Sequence, residues 1–240
     1  MSEFCIEERA ETKSKIIFQH VKLDLSPLER ETIDGVRYYT ILNEKTSKKL
    51  VSITSVTSHF NRQIFVDWRR KVGNAKADAI TKAATTRGTN LHSLVENYIT
   101  NLELPEVADP APTLFETIKP ALHRMSTIYG VETALYSEVL GVAGTCDTIA
   151  EFDGELSIID YKTSAKPKPR EWIENYFVQA CAYSCMLYER TGLEAKKLVI
   201  IMACENGELV VYEERDIKKY IKLLIEYIKK FTNDMLDQYS

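Results

Sequence analysis

Gly144-Thr145-Cys146-Asp147-Thr148-Ile149-Ala150-Glu151-Phe152-Asp153-Gly154-Glu155-Leu156-Ser157-Ile158-Ile159-Asp160-Tyr161-Lys162-Thr163 is the segment around which the rest of the chain can be ordered. Two runs of strand character flank Asp153-Gly154, a dipeptide favoured in two-residue hairpins because both central residues need positive φ. If those two residues form the loop, Phe152 faces Glu155, and counting outward along both strands places Asp147 opposite Asp160. Facing residues share one sheet face with Cβ atoms roughly 5 Å apart. Lys162, two residues further on, projects from that face as well. A loop longer or shorter by one residue would shift this register. Two opposed carboxylates repel each other unless positive charge lies between them. Lys162 could supply it as an ion pair. A divalent cation does so better, and two oxygens at this spacing suit the Mg2+ site of a phosphoryl-transfer enzyme. The competing reading, an exposed polar sheet face, is weakened by Ile149 and Ile158 on the same side.

Outward from this hairpin, residues 131–142 read as a strand, and 197–205 and 208–213 as another pair around Asn206-Gly207. Helical spacing is expected over 113–129, over 170–191, and from Ile217 to Ile228. Upstream, Leu91, Leu94, Val95, Tyr98 and Ile99 recur as one apolar stripe. Thr85-Thr86-Arg87-Gly88 is expected to break the helical run of about 55–84 before it, with Thr89 capping the next helix. Residues 15–24 alternate loosely, and Asp34-Gly35 before residues 36–41 suggests another hairpin, with a short strand at 50–54. Strands clustered between helices predict an α/β domain with a mixed sheet. The expected division is a small β element at 1–55 and a main domain at 56–240, together forming a single compact unit.

The chain has 240 residues, 45% hydrophobic and 28% charged, as in an ordinary soluble globular protein. Cys5, Cys146, Cys181, Cys185 and Cys204 form no regular framework and read as reduced thiols in a cytoplasmic compartment. No run of 18 apolar residues predicts a membrane span. The acidic residues among the first 15 fit neither a signal nor a transit peptide. The net charge of −4 leaves room for local basic patches. Residues 61–87 hold Arg62, Arg69, Arg70, Lys71, Lys76, Lys82 and Arg87 against Asp67 and Asp78. Residues 161–170 hold Lys162, Lys166, Lys168 and Arg170 with no acid. Either patch taken alone is as consistent with a solvated face. His92 lies beside the apolar stripe, one turn before Glu96. A lone helical histidine is more often packed or on the surface than a ligand, yet imidazole is acceptable beside carboxylates, better for Mn2+ than for Mg2+.

Taken in order, Arg87-Gly88-Thr89-Asn90-Leu91-His92-x-x-x-Glu96, Gly144-Thr145-Cys146-Asp147, Ile158-Ile159-Asp160-Tyr161-Lys162-Thr163 and Gln179-x-x-x-Tyr183 resemble the RecB-like exonuclease branch of the PD-(D/E)XK nuclease superfamily. Residues 52–57 and 68–73 resemble the lead-in of phage exonucleases and of the mitochondrial genome maintenance exonucleases. The resemblance runs from about residue 36 to residue 205. It implies a restriction-endonuclease-like mixed β-sheet flanked by helices. It implies metal ligation by His92, Asp147, Asp160 and the Tyr161 carbonyl, and catalysis with Asp147, Asp160, Lys162, Gln179 and Tyr183. Glu96 and Glu138 would add further carboxylates. Arg69, Arg70, Arg87, Thr163, Lys166, Lys168, Arg170 and Trp172 would contact DNA, with Trp68 and Tyr176 as further stacking candidates.

The implied reaction is Mg2+-dependent hydrolysis from DNA ends, single-stranded or otherwise free, leaving 5′-phosphate and 3′-hydroxyl, with Mn2+ substituting. A structure-specific endonuclease and an idle DNA-binding fold stay open as alternatives. No iron–sulfur cluster is expected, since only Cys204 follows Cys185, and no nucleotide, since no phosphate-binding loop motif occurs. A phage or bacterial setting with replication or recombination proteins as partners is compatible.

Overall fold

The structure is a computed structural model and describes residues 16–43 and 46–237. Cys5 and the expectation about the first 15 residues lie outside them. Nine strands, among the described residues, form one mixed sheet: β1 (Gln19–His20), β2 (Glu29–Ile33), β3 (Val36–Asn43), β4 (Thr46–Ser52), β5 (Met125–Ser137), β6 (Val142–Phe152), β7 (Glu155–Ser164), β8 (Lys197–Cys204) and β9 (Leu209–Glu214). The order is β2-β3-β4-β6-β7-β8-β9, with β5 also on β6 and β1 on β5. β1–β5, β4–β6 and β7–β8 are parallel and the other pairs antiparallel. The N-terminal hairpin and β4 are therefore continuous with the main sheet.

The β6–β7 hairpin turns at Asp153 and Gly154, whose φ values of 51° and 78° are those the two-residue loop requires. Phe152 faces Glu155, and the ladder runs in register to Thr148 and Ile159. There it stops. On the same flank of β6, β4 reaches only Val142 and Ala143. Residues 144–147 thus face a gap between β4 and β7, and Asp147 stands at its edge.

Among the described residues, five of six α-helices cover the sheet. α1 (Ile53–Phe60), α5 (Glu174–Thr191) and α6 (Ile217–Asp237) pack one face, burying Ile53, Val56, Phe177, Tyr183, Tyr220 and Leu224 with Ile158 and Ile200. The C-terminal half of α3 (Asn74–Ile99) and α4 (Ala111–Leu122) pack the other, burying Leu91, Leu94, Phe115 and Ile118 with Ile159 and Val199. Each such side chain removed from water contributes on the order of 1.5–3 kcal/mol. α2 (Arg62–Val72) buries no residue.

Four sequence expectations change. The helix break at 85–88 is absent, because α3 runs through it to Ile99. Packing of the stripe from Leu91 onward and the anchoring of Arg87 outweigh the weak local preferences of Thr85, Thr86 and Gly88. The helix expected over 113–129 ends at Leu122, because Met125 and Ile128 pair with β6. Val142 opens β6, and β5 ends at Ser137 before a turn through Gly141 at φ 71°. Finally, α5 begins at Glu174, after a 3-10 turn at Arg170–Trp172.

Candidate active site

Asp147 does not complete the ladder with Asp160. Its Oδ2 instead accepts the Tyr161 backbone N–H at 3.0 Å, so the side chain occupies the place a paired strand would take. Asp160 is 2% exposed. Its Oδ1 accepts from Gln179 Nε2 at 3.3 Å, while Oδ2 is held in a close ion pair with the Lys162 ammonium. Burial raises the Asp160 carboxyl to about 6 against the pull of Lys162. Burial lowers the Lys162 ammonium, but Asp160 and Asp147 together push it above its ordinary value. Its Nζ also lies 5.2 Å from the centre of the Tyr176 ring.

His92 enters from α3 on the opposite face. Its Nε2–H donates to the Tyr161 carbonyl at 2.9 Å. Its Nδ1 lies 3.7 Å from both Asp147 Oδ2 and Glu132 Oε1. Burial disfavours the imidazolium, but Asp147 and Glu132 outweigh it and raise the pKa to about 9. Ligand atoms of His92, Glu132 and Asp147 all lie within 4.8 Å of one another.

Glu132 is the residue that sequence reading missed. It sits in β5 opposite Asp147, between the pairs Val131–Thr148 and Thr133–Cys146, at φ 45°. That left-handed conformation, uncommon outside glycine, turns its carboxylate toward His92. Glu138 was the acid proposed from that strand. It lies in the turn after β5, about 20 Å along the chain from Glu132 at strand rise, and its backbone N–H donates to Glu189. Glu96 is exposed on α3 and is not among the clustered ligand groups.

Of the remaining candidates, Tyr183 is buried against Gly144, where a Cβ would fall 2.7 Å from the ring. Arg87 donates to Thr163 Oγ1 at 3.2 Å and pairs with Glu205, which ties α3 to the ends of β7 and β8. Arg69 pairs with Asp78 at 2.7 Å, Arg70 with Asp67 at 2.9 Å and Arg170 with Glu214 at 2.7 Å. Lys168 donates to Tyr176 Oη at 3.0 Å. Lys166 is exposed, and Trp172 is 72% exposed. The structure thus gathers His92, Glu132, Asp147, Asp160, Lys162 and Gln179 where β6 and β7 part beyond Thr148 and Ile159. It leaves Glu96, Glu138, Arg69 and Arg70 outside that cluster.

Residues 65–238 match the profile of the PD-(D/E)XK nuclease superfamily. The chain belongs to that superfamily. The human mitochondrial genome maintenance exonuclease 1 is 24% identical over 189 residues, which cover 75% of this chain and 52% of the human one. The mouse protein of the same name is 33% identical over 85 residues, 35% of this chain and 25% of that one. The chain spans about half the length of the human relative. A solved chain from Eubacterium rectale, provisionally described as an exonuclease, aligns with a TM-score of 0.46 at 14% identity over 64% of this chain and 66% of that one. The superfamily is one of nucleases, which generally depend on a divalent metal. Among the described residues, no helix is long and apolar enough to cross a membrane.

Proposed function

We propose that this chain is a Mg2+-dependent deoxyribonuclease that hydrolyses phosphodiester bonds from DNA ends, with a preference for unpaired ends. The observation that carries this reading is the convergence of His92, Glu132 and Asp147, whose ligand atoms all lie within 4.8 Å of one another, beside the buried Asp160–Lys162 ion pair. Carboxylates gathered this closely repel one another, and a hard cation with oxygen ligands would relieve that repulsion. Asp147, Asp160, Glu132 and the Tyr161 carbonyl supply oxygens, and His92 a nitrogen that widens the site to Mn2+. When bound there, the cation supplies neutralisation of phosphate charge and acidification of a water.

The chain's own groups do the rest. Gln179 holds the orientation of Asp160 from one face, and the His92–Tyr161 bond fixes the backbone of β7 from the other. Lys162, kept charged by two carboxylates, stands by Asp160 to orient the attacking water and to meet negative charge gathering on the phosphate. A water oxygen forms the new bond to phosphorus as that water gives up a proton to solvent, the P–O3′ bond breaks, and the 3′ oxygen takes up a proton from solvent, leaving 5′-phosphate and 3′-hydroxyl ends.

The test is end-labelled linear single-stranded DNA incubated with Mg2+, with Mn2+ and with EDTA, beside Asp160→Asn and circular DNA. The expected result is metal-dependent shortening of the linear strand, on the order of 10³-fold slower in the variant, since metal stabilisation of the transition state is worth several kcal/mol. Cutting of circles would replace the exonuclease by an endonuclease. Intact DNA in every lane, with metal still raising the melting temperature, would leave an idle binding fold.

A further inference from the structure

A cavity of about 730 Å³ opens between the β2–β3 turn, the end of α1 with the start of α2, and the first turn of α5. Its walls include Arg37, Ser58, Asn61, Arg62, Phe65 and Asn175. Six arginines of the described chain, Arg69, Arg70, Arg87, Arg124, Arg170 and Arg215, are each paired with an acid. Arg30, Arg37, Arg62 and Arg190 have no acid partner among the described residues, and of these Arg37 and Arg62 face this one cavity. Asp34 in the turn is the one carboxylate of its lining. Phe65 is 42% exposed there, and Asn61 stands at the cap of α2 without making a cap hydrogen bond. Asn175 precedes Gln179 by four residues, so the two lie on one face of α5 about 6 Å apart along the axis. Gln179 is the residue that donates to Asp160.

We infer that this cavity holds the unpaired DNA strand beside the scissile phosphate, with Arg37 and Arg62 on its backbone and Phe65 against a base. Uncompensated guanidinium charge, an exposed aromatic ring and free amides are the groups that grip a single strand. The volume is that of a small-molecule pocket, room for about one or two nucleotides and too little for a duplex. The inference rests on the nuclease reading and assigns the N-terminal hairpin a part in holding substrate.

The test uses the full chain in EDTA and a fluorescein-labelled thymidine 12-mer, with anisotropy followed across a salt series. Arg37→Ala/Arg62→Ala is compared with Arg30→Ala/Arg190→Ala, which removes the same charge from positions outside the cavity. The first variant is expected to bind at least tenfold more weakly, and its log–log salt slope to fall by about 1.4, roughly 0.7 for each lost single-strand phosphate contact. The second is expected to stay within about twofold of the unaltered chain. An unchanged Mn2+-induced rise in melting temperature in both shows that each has folded with its acid cluster intact. If the two variants bind alike while the unaltered chain cuts DNA, the cavity assignment is overturned alone. If the unaltered chain neither binds nor cuts the strand, the nuclease reading falls and the cavity assignment with it.

Discussion

His92 carries a proton where the surrounding carboxylates demand positive charge. Burial opposes that proton, but Asp147 and Glu132 outweigh it and hold the imidazole pKa at about 9 against an ordinary 6.5. A metal that takes the His92 nitrogen must displace this proton. Apparent Mn2+ affinity is therefore expected to rise with pH from 7 to 9, by up to about tenfold per unit, and to level off above 9. Metal-free stability runs the other way. A raised folded-state pKa contributes stability that is fully present below pH 6.5 and is lost as pH rises through about 9. Calorimetry in two buffers of different ionisation enthalpy measures the protons released on binding at pH 7.5. Release close to one proton in the unaltered chain, lost in His92→Ala, is the expected result, and equal release in both would remove the histidine from the site. At this scale the two-residue loop was legible and its register holds as far as Thr148 and Ile159, but the counted pair Asp147–Asp160 does not form, because Asp147 takes the Tyr161 N–H instead. Glu132 was not legible, because its place depends on a positive φ in the middle of a strand, which no pattern of alternation signals.

Among the elements, β6 and α5 meet at Gly144. A Cβ there would lie 2.7 Å from Tyr183 Cε1, 2.9 Å from its Oη and 3.1 Å from Ile53 Cγ2. The motif Gly144-Thr145-Cys146-Asp147 thus needs its glycine for the close approach of the helix that carries Gln179. Gly144→Ala is expected to destabilise by about 1–3 kcal/mol, the range for overpacking a filled core. Urea unfolding would show this as a lower midpoint with little change in slope. Tyr183→Leu in the same chain should recover part of the loss, since mutations at contacting sites are not additive. A fully additive double variant would mean that the strain is relieved elsewhere. The strands of this region were readable from alternation and turn residues. The limits of α3 and α4 were not. Whether Gly88 ends a helix depends on what Arg87 reaches across the sheet, and whether 125–129 continues a helix depends on pairing with Phe152 and Ala150.

For the whole molecule, a mixed sheet under helices followed from the order of strand and helix signals. The gap between β4 and β7 that exposes Asp147 followed from nothing local, since it arises where two partners of β6 stop short of each other. The other end of the sheet shows the opposite arrangement, a closed charge network. Lys197 is fully buried, its Nζ makes no hydrogen bond, and it lies 3.3 Å from Glu155 and 3.7 Å from Glu213. Both acids have a second cation in Arg215, and Glu213 also pairs with Arg124. Removing the lysine therefore leaves neither carboxylate alone. The Phe152 ring, 5.2 Å from Nζ, offers an apolar neighbour to a replacement side chain. A buried ion pair replaced by an apolar residue of similar volume is often neutral or stabilising, because the desolvation of the charges is no longer opposed to folding. Lys197→Met is therefore expected to leave stability within about 1 kcal/mol of the unaltered chain or to raise it. Chemical denaturation at pH 7 checks this. A loss of 3 kcal/mol or more would mean that the ammonium holds the two carboxylates in place and that the arginines cannot take over its role.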